Sequence, residues 1–230
     1  MLSDLHNHSI FSDGINTCEE LIEQAIALGL QRIGLVDHVW RKSEWVSDFI
    51  DTTNRLKEKY DGVIQIVTGL EAKALTCSGE VDLNDKWRDK VDYILGAIHR
   101  IPSSLNQFYS RSDELLNRSK VFEDWLSTIQ GLLKNDMVDI ITHPAAELIR
   151  YEIPLDEETI KILSHLGKAS GKVFEVNVKH KVPIQAFLDQ LIAYEIPLSI
   201  GSDSHSTTQQ KFRINDIIAM HKTLASCNLI

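Results

Sequence analysis

Histidines and acidic residues are spaced along this sequence in a way that suits metal-ion chemistry. The chain contains nine histidines. Six of them fall at or just past the carboxyl end of a predicted strand, and three acidic residues are placed similarly: His6, His8, His38, His99, His143 and His205, with Asp37, Glu71 and Asp203. Imidazole and carboxylate ligands without thiolates are typical of zinc, manganese or iron sites. The pattern therefore predicts a centre for divalent cations.

Two short spacings and one isolated acid sharpen this prediction. His6 and His8 are two positions apart on a strand, so their side chains point to the same face. Asp203 and His205 repeat that spacing near the C-terminus. A single pair of this kind is a weak signal, because surface and core histidines are common. The candidates taken together are too many for one tetrahedral ion and suit two or three ions, with Glu71 as the natural bridge.

The three remaining histidines are not at strand ends. We expect His165 on a helix face, His180 in a loop with a small chance of contacting substrate, and His221 on the solvent side of the last helix.

Short apolar or β-branched runs, each followed by a polar residue and a helix-like stretch, recur along the chain. Seven such runs occur, at 3–6, 32–37, 63–71, 93–99, 138–143, 173–177 and 198–203. Helical periodicity fills most intervals, after a capping box at Thr17 and Glu20 and in the segments 44–60, 113–134, 156–170 and 184–194. This alternation predicts an α/β fold with a closed or nearly closed parallel barrel. The carboxyl ends of its strands would bring the distant ligands to one mouth.

Length and composition fit one globular domain spanning residues 1–230. Hydrophobic residues make up 43% of the chain and charged residues 25%, without a linker, low-complexity tract or internal repeat. No apolar run reaches the roughly 18 residues of a membrane span, and the N-terminal residues lack the pattern of a signal peptide. Three widely spaced cysteines fit a reducing compartment, so we expect a cytoplasmic protein.

The net charge of −9 narrows the range of partners. It disfavours duplex nucleic acid as the main partner, because phosphate backbones attract basic surfaces. It is compatible with a small phosphorylated substrate, because bound metal ions reverse the local charge of an acidic site. The sequence leaves the oligomeric state open.

The segment from Ile101 to Arg118 is rich in polar and turn-forming residues. We expect it to form a long loop over the mouth of the barrel, since long loops in compact domains are often lids or binding loops. Phe108 and Tyr109 would make it a specificity loop. Arg111 and Arg118 would close over substrate or, equally well, mark a solvated helix start.

A series of short motifs runs in a fixed order along nearly the whole chain. They are Asp4-Leu-His-Asn-His-Ser9, Ser12-Asp-Gly14, Val36-Asp-His38, Thr68-Gly-Leu-Glu71, Gly96-Ala-Ile-His99, Thr142-His-Pro144, Phe174-Glu-Val-Asn177 and Gly201-Ser-Asp-Ser-His205. This series resembles the PHP (polymerase and histidinol phosphatase) family of metal-dependent phosphoesterases. The resemblance implies a distorted, TIM-like (β/α)7 barrel with a trinuclear centre of Zn, Mn or Fe.

Carried over position by position, the resemblance implies three groups of metal ligands. The first ion would be held by His6, His8, Glu71 and Asp203. The second would be held by Glu71, His99 and His143, with Glu71 bridging. The third would be held by Asp13, His38 and His205, although Asp13 also fits an ordinary Asp-Gly turn. Asp37 and Glu175 resemble residues that orient ligands by hydrogen bonds, and strand-end capping is the other interpretation of Asp37.

The expected reaction is the hydrolysis of a phosphomonoester by metal-activated hydroxide that attacks phosphorus in line. Glu71, Asp203 and His205 are the expected catalytic residues, and either Asp203 or His205 would relay a proton. Arg100 is a candidate clamp for the phosphate through its forked donors, or else a surface ion-pair residue. Asn177 and Lys179 are further candidates for substrate binding.

Several functions stay open at this point. A small-molecule phosphatase comes first, with L-histidinol phosphate as the most concrete substrate that the resemblance suggests. A nucleotide, a sugar phosphate or phosphotyrosine is also compatible. The alternative is a PHP-type nuclease or phosphodiesterase, although no basic stripe for single strands is evident. A metal-stabilised module without catalysis is disfavoured by the nearly intact ligand set, and an amidohydrolase by the lack of an evident bridging lysine.

Overall fold

The computed structural model describes residues 1–105, 107–110 and 117–230. In this part of the chain seven strands form one parallel sheet in the order of the sequence. The strands are β1 (Ser3–Asn7), β2 (Arg32–Val39), β3 (Gln65–Lys73), β4 (Tyr93–Ala97), β5 (Ile140–Ile141), β6 (Val173–Asn177) and β7 (Leu198–Gly201). All seven predicted strands are present, although β5 is shorter than the apolar run that predicted it.

Helices follow the strands and cover the outside of the sheet. They are α1 (Cys18–Ala27), α2 (Val46–Lys59), α3 (Arg118–Lys134), α4 (Ala146–Arg150), α5 (Glu157–Ser170), α6 (Gln185–Ala193) and α7 (Thr207–Thr223), with a 3₁₀ helix at Asp85–Lys90. This alternation of parallel strands and helices confirms the predicted distorted, TIM-like (β/α)7 barrel. None of these helices combines the length and apolar character that a membrane crossing requires.

Local sequence signals fix several helix ends. Thr17 and Glu20 form the predicted capping box at the start of α1. Gly171 ends α5 with a φ of 68°, a conformation that glycine adopts without strain. α3 begins at Arg118, where the Asn117 side chain accepts from the Lys120 amide. The predicted start at Asp113 lies outside the described residues.

The sheet nearly closes into a barrel through contacts between its first and last strands. Asn7 forms a parallel bridge with Ser204, and the His8 amide donates to the Ser204 carbonyl over 2.8 Å. Below this bridge, the Asp4 side chain accepts from the Ser202 amide over 2.8 Å. The closure lies beside His6 and His8, so it also fixes the strand ends that carry candidate ligands.

A small apolar cluster fills the interior of the barrel below the mouth. It consists of Leu5, Val36, Val67, Tyr93, Leu95 and Ile140. The Tyr93 hydroxyl donates to the Leu5 carbonyl over 2.7 Å. A Cβ at Gly34 would lie 2.2 Å from that hydroxyl, and one at Gly69 would lie 2.5 Å from the Tyr93 ring. The two glycines thus make room for the buried tyrosine.

The described part of the predicted loop forms a short hairpin. Pro102 and Phe108 form an antiparallel bridge, and the Ser103 amide donates to the Gln107 carbonyl over 2.6 Å. The Tyr109 hydroxyl donates to Asp124 on α3 over 2.7 Å. The first half of the segment is therefore tied to the barrel wall, while Arg111 lies outside the described residues.

Candidate metal centre

The nine side chains predicted as ligands converge at the carboxyl mouth of the barrel. Seven of them lie at or just past the ends of β1 to β5, and two follow β7: His6, His8, Asp13, His38, Glu71, His99 and His143, then Asp203 and His205. Strands in parallel register place their ends side by side, which brings together residues up to two hundred positions apart.

Glu71 lies at the centre of this cluster and is 1% exposed. Its Oε1 lies 2.9 Å from Nε2 of His143 and 3.0 Å from Nε2 of His99. Its Oε2 lies 2.7 Å from Nδ1 of His38. The Nε2 atoms of His6 and His8 each lie 3.6 Å from the same Oε2. One carboxylate thus faces five imidazoles, which is the arrangement that a bridging ligand requires.

Three groups of side chains could each hold an ion, with candidate ligand atoms within 4.8 Å of one another: His6, His8 and Asp203; His38, Glu71 and His99; and His8, Asp13, His38 and His205. Asp13 reaches both His38 and His205, at 3.6 and 3.3 Å. A tight turn presents it, because Gly14 approaches the His8 carbonyl too closely for any Cβ. The groups overlap those that the resemblance implies, but here His8 and His38 are shared between groups.

The chemistry of this donor set fits divalent cations. Nε2 of His6 and Nε2 of His8 lie only 3.0 Å apart, with both rings buried. Nδ1 of His8 is buried without a hydrogen-bond partner among the described residues. Buried polar atoms normally find partners, since each unpaired one costs about 1–3 kcal/mol. Cations at this mouth would satisfy the converging nitrogens and carboxylates together.

Burial and neighbouring charges shift the pKa values of the centre in opposite directions. Burial lowers the pKa of His8 to about 3, which keeps the ring neutral and able to ligate. Burial also opposes the charge on His38, but Glu71 and Asp13 outweigh it and raise the pKa to about 10. The pKa of Glu71 lies well below its usual value, because His99, His38 and His6 outweigh the effect of burial. Without metal, protons thus provide part of the positive charge that the carboxylates need.

Glu175 on β6 orients two of the candidate ligands from below. Its Oε1 lies 2.6 Å from Nδ1 of His6, and its Oε2 accepts from the His143 amide over 2.6 Å. Thr142 and Asn177 donate to the same carboxylate. Burial would raise the pKa of Glu175, but His6 and the other partners lower it to about 2. A carboxylate behind a ligating histidine fixes the ring and increases its basicity.

Asp37 binds the loop after β1 and does not face the centre. It accepts from the Ser9 amide, the Ser9 hydroxyl and the Ser12 hydroxyl. These contacts fix the turn that carries Asp13.

Two of the candidate ligands have unusual backbone conformations. The φ angle is 29° at His143 and 49° at Asp203, in a region that costs non-glycine residues about 1–3 kcal/mol. Such strain is concentrated at functional sites, where the surrounding structure holds it in place.

A small cavity of about 110 Å³ opens beside the centre. Its polar lining includes Lys179, whose Nζ lies 2.9 Å from Oδ2 of Asp203, and His180, whose Nε2 lies 3.0 Å from the same oxygen. Arg150 and Glu147, paired with each other on α4, line another side. The strand-end rule also applies to His180, which lies three residues past β6. Arg150 and Glu147 have no comparable signal in the sequence, because α4 is too short for a periodic pattern.

The predicted substrate residues are placed differently from one another. Lys179 lines the cavity, whereas Asn177 is buried and its side chain accepts from the His180 amide over 3.0 Å. Arg100 lies outside the cavity lining, with its Cζ 5.3 Å from the centroid of the Phe108 ring. Arg118 pairs with Glu152 on the surface, as a solvated helix start would.

Two further histidines lie away from the centre. The ring of His165 packs near Tyr194 on the outside of the barrel. The predicted solvent-facing position of His221 is wrong: it is half-buried, with Nε2 2.7 Å from the Ser3 carbonyl oxygen. The last helix lies against the amino end of β1, which the helical pattern alone does not indicate.

A parallel α/β barrel with a histidine and carboxylate cluster at its carboxyl mouth is the arrangement expected of a metal-dependent enzyme. The family model described as the PHP domain matches residues 4–179. The chain therefore belongs to the PHP family, as its motifs predicted.

Relatives of the chain carry related activities in their names. A probable phosphatase of Acetivibrio thermocellus is 24% identical over 212 residues, which cover 88% of this chain and 78% of that protein. The DNA polymerase/3'-5' exonuclease PolX of Bacillus subtilis is 27% identical over 192 residues, covering 76% of this chain and 28% of that protein. The PHP family match and the probable phosphatases, which are similar over most of their length, identify the chain as a phosphatase. Phosphatases are hydrolases.

One solved structure is similar over the whole barrel. The histidinol phosphate phosphatase of Lactococcus lactis, solved with Zn, L-histidinol and phosphate, matches with a TM-score of 0.70 and 16% identity, over 99% of this chain and 95% of that one. At this identity the likeness establishes the fold.

Proposed function

We propose that this phosphatase hydrolyses phosphomonoesters of small phosphorylated metabolites at a centre of three divalent ions. The position of Glu71, in reach of five histidines on four strand ends, carries the proposal. A carboxylate there would bridge ions, with His6, His8, Asp13, His38, His99, His143, Asp203 and His205 as the other ligands. Zn, Mn and Fe all suit this donor set.

Divalent ions bound here would offset the charge of a phosphate dianion and lower the pKa of a bound water toward neutrality. The protein's own residues would supply the rest. Lys179 and Arg150 line the cavity and would bind phosphate oxygens through charged donors. The small cavity would hold the phosphate group and exclude most of the bulk water around it.

Proton transfer would use the side chains around Asp203. Its Oδ1 lies 3.4 Å from His8, and its Oδ2 faces His180 at 3.0 Å. His205 approaches the same residue, with Nδ1 3.1 Å from its carbonyl oxygen. His180 lines the cavity and lies outside the proposed ligand set, so it would pass a proton to the leaving oxygen while Asp203 holds the ring.

Phosphate release from an aryl phosphate tests the proposal. Activity should disappear in chelator and return with Mn or Zn, in step with metal content. His99→Gln should remove most of the activity, whereas His165→Gln, on the outer surface, serves as a matched control and should keep it. A chelated protein that still hydrolyses the ester at full rate would contradict the metal centre.

The substrate is proposed only as a class. L-Histidinol phosphate is one candidate, since the Lactococcus enzyme of similar fold was solved with L-histidinol and phosphate. A panel of phosphorylated metabolites, assayed with Mn, would rank it against sugar phosphates, nucleotides and phosphotyrosine.

A nuclease is the second candidate, favoured by the similarity to the exonuclease-bearing PolX protein. The net charge of −9 weakens it, because nucleic acid backbones attract basic surfaces. Degradation of a single-stranded oligonucleotide at a rate matching that of the best monoester would favour the nuclease.

A further inference from the structure

The cavity beside the metal centre is too small for a whole metabolite. Its volume of about 110 Å³ lies far below the roughly 300–1,000 Å³ of typical ligand pockets. If the phosphate group enters it, the leaving group must lie outside, against the rim of the mouth. Side chains on this rim would then select the substrate.

One part of the rim gathers two cations on a single aromatic ring. Lys73 ends β3, two residues past Glu71 and on the same face of the strand. Arg100 directly follows His99. The Lys73 Nζ lies 3.6 Å from the centroid of the Phe108 ring, and the Arg100 Cζ lies 5.3 Å from it. Both charges are therefore held beside the proposed ligands.

Neither of these two cations has a described carboxylate within ion-pair distance, and Asp82 acts on Lys73 only from farther away. Among the described residues, no carboxylate forms an ion pair with Lys73 or Arg100. Other cations near the mouth are paired, since Lys179 contacts Asp203 and Arg150 contacts Glu147. Two positive charges around one ring repel each other, and an anion bound close to both would remove that cost.

The ring that organises the two cations is held in place by the hairpin. Phe108 pairs with Pro102, and the next residue, Tyr109, is anchored through its hydroxyl to Asp124. A site that is ordered before binding loses little conformational freedom when a ligand arrives.

We propose that Lys73, Arg100 and Phe108 form a subsite for a second anionic group on the leaving group of the substrate. The group would be a carboxylate or a second phosphate, both of which pair with lysine and arginine. The proposal rests on the phosphatase function proposed above. It gives Arg100 a role in choosing the substrate, in place of the predicted clamp on the reacting phosphate.

A matched series of substrates tests the subsite. Alkyl phosphates whose chain ends in a hydroxyl, a carboxylate or a second phosphate would be compared. Several chain lengths are needed to match the distance from Glu71 to Lys73, since two strand residues span about 7 Å. With Mn-loaded enzyme at low ionic strength, kcat/KM should be at least about tenfold higher for one anionic series than for the hydroxyl series. The series that gains distinguishes carboxylate from phosphate.

Variants then separate the two roles of Arg100. Lys73→Met and Arg100→Met should each reduce the preference for the anionic substrate to less than about threefold. Lys86→Met is the matched control, because its Nζ lies 4.4 Å from the Trp87 ring, before the amino end of β4. It should keep the preference. If Arg100→Met lowers all series equally and leaves the preference unchanged, Arg100 clamps the reacting phosphate and the subsite is overturned.

Binding measurements distinguish failure of the subsite from failure of the proposed function. Butanediol bisphosphate and butanediol monophosphate would be titrated calorimetrically into Mn-loaded protein at equal free Mn. Tighter binding of the bisphosphate, lost in Lys73→Met, supports the subsite even if neither compound is hydrolysed. The matching phosphate ester with a terminal carboxylate would be titrated in the same way. If neither anionic compound binds more tightly than the monophosphate, the subsite is overturned, even if the monophosphate is hydrolysed well.

Discussion

The two halves of the barrel interior are built by the same strands but differ in chemistry. The lower half packs Leu5, Val36, Val67, Tyr93, Leu95 and Ile140, and the Tyr93 hydroxyl has its acceptor. The upper half buries imidazoles and carboxylates, leaves Nδ1 of His8 without a described partner, and holds His143 and Asp203 at positive φ. The lower half is held together mainly by apolar packing, whereas the converging ligand atoms of the upper half would be satisfied by bound cations.

The difference shows where stability and function are located. Apolar packing lowers the free energy of the native state without any partner, while unpaired polar groups and backbone strain raise it. Such costs persist where function requires them. Substitutions in the lower half should therefore change stability, and those in the upper half should change metal binding and catalysis.

The largest effect is expected for Glu71→Gln. The amide keeps the shape of the side chain but removes the charge that five histidines face. Activity should fall about a thousandfold or more, beyond the 10–100-fold typical of residues behind the ligands. Metal analysis, phosphate release and the rise of the melting temperature with Mn are the measurements. Glu158→Gln, in the first turn of α5, is the control, and a variant with full metal content and activity would contradict the central role.

Tyr93 provides the corresponding test in the lower half. Tyr93→Ala should destabilise the protein by about 3–5 kcal/mol, because it leaves a cavity in a closed cluster. Tyr93→Phe should cost about 1–3 kcal/mol, since the buried Leu5 carbonyl loses its donor. Urea denaturation of the chelated protein measures both values.

The activity of folded Tyr93→Phe with metal should stay near that of the wild type. A large loss of kcat in this variant, at unchanged metal content, would show that the two halves are coupled and that the division is wrong.

Glu175 lies between the two halves, and its substitution should have an intermediate effect. Glu175→Gln weakens the contacts to His6 and to the His143 amide without removing a ligand. Metal affinity should fall about 10–100-fold, measured with metal buffers. The exposed Glu157→Gln is a suitable control. An unchanged affinity would mean that packing alone orients the two histidines.

The sequence predicted the candidate centre better than it predicted the surroundings. Histidines and acids at strand ends were recognisable because the strands of a parallel barrel all end at one mouth, where residues far apart in sequence meet. The same rule extends to His180, although the sequence alone predicts only a loop residue there. Arg150 could not be found this way, because α4 is short and its position depends on how the chain turns after His143.

Long-range packing also explains what was mispredicted. The period of a helix shows which face is apolar but not which strand it meets. The helical pattern therefore predicts a solvent-facing His221, whereas α7 returns to the amino end of β1 and places the ring against Ser3. The position of the Phe108 ring beside Lys73 and Arg100 likewise depends on a tertiary contact, the hydrogen bond between Tyr109 and Asp124.

The smallest effect is expected at His221, a residue of α7 that contacts the amino end of β1. Burial lowers the pKa of His221 below 6.5, more than its contact with Ser3 raises it. The unfolded chain therefore binds a proton more readily, so the His221 contribution to stability is lost as the pH falls below about 6.5. Since the ring is half exposed, solvent screening reduces the effect to about a few tenths of a kcal/mol. Urea midpoints of chelated wild type and His221→Gln at pH 7.5 and 5.5 measure it: the wild type should lose more stability. An equal loss in both proteins would mean that the contact with Ser3 does not respond to protonation.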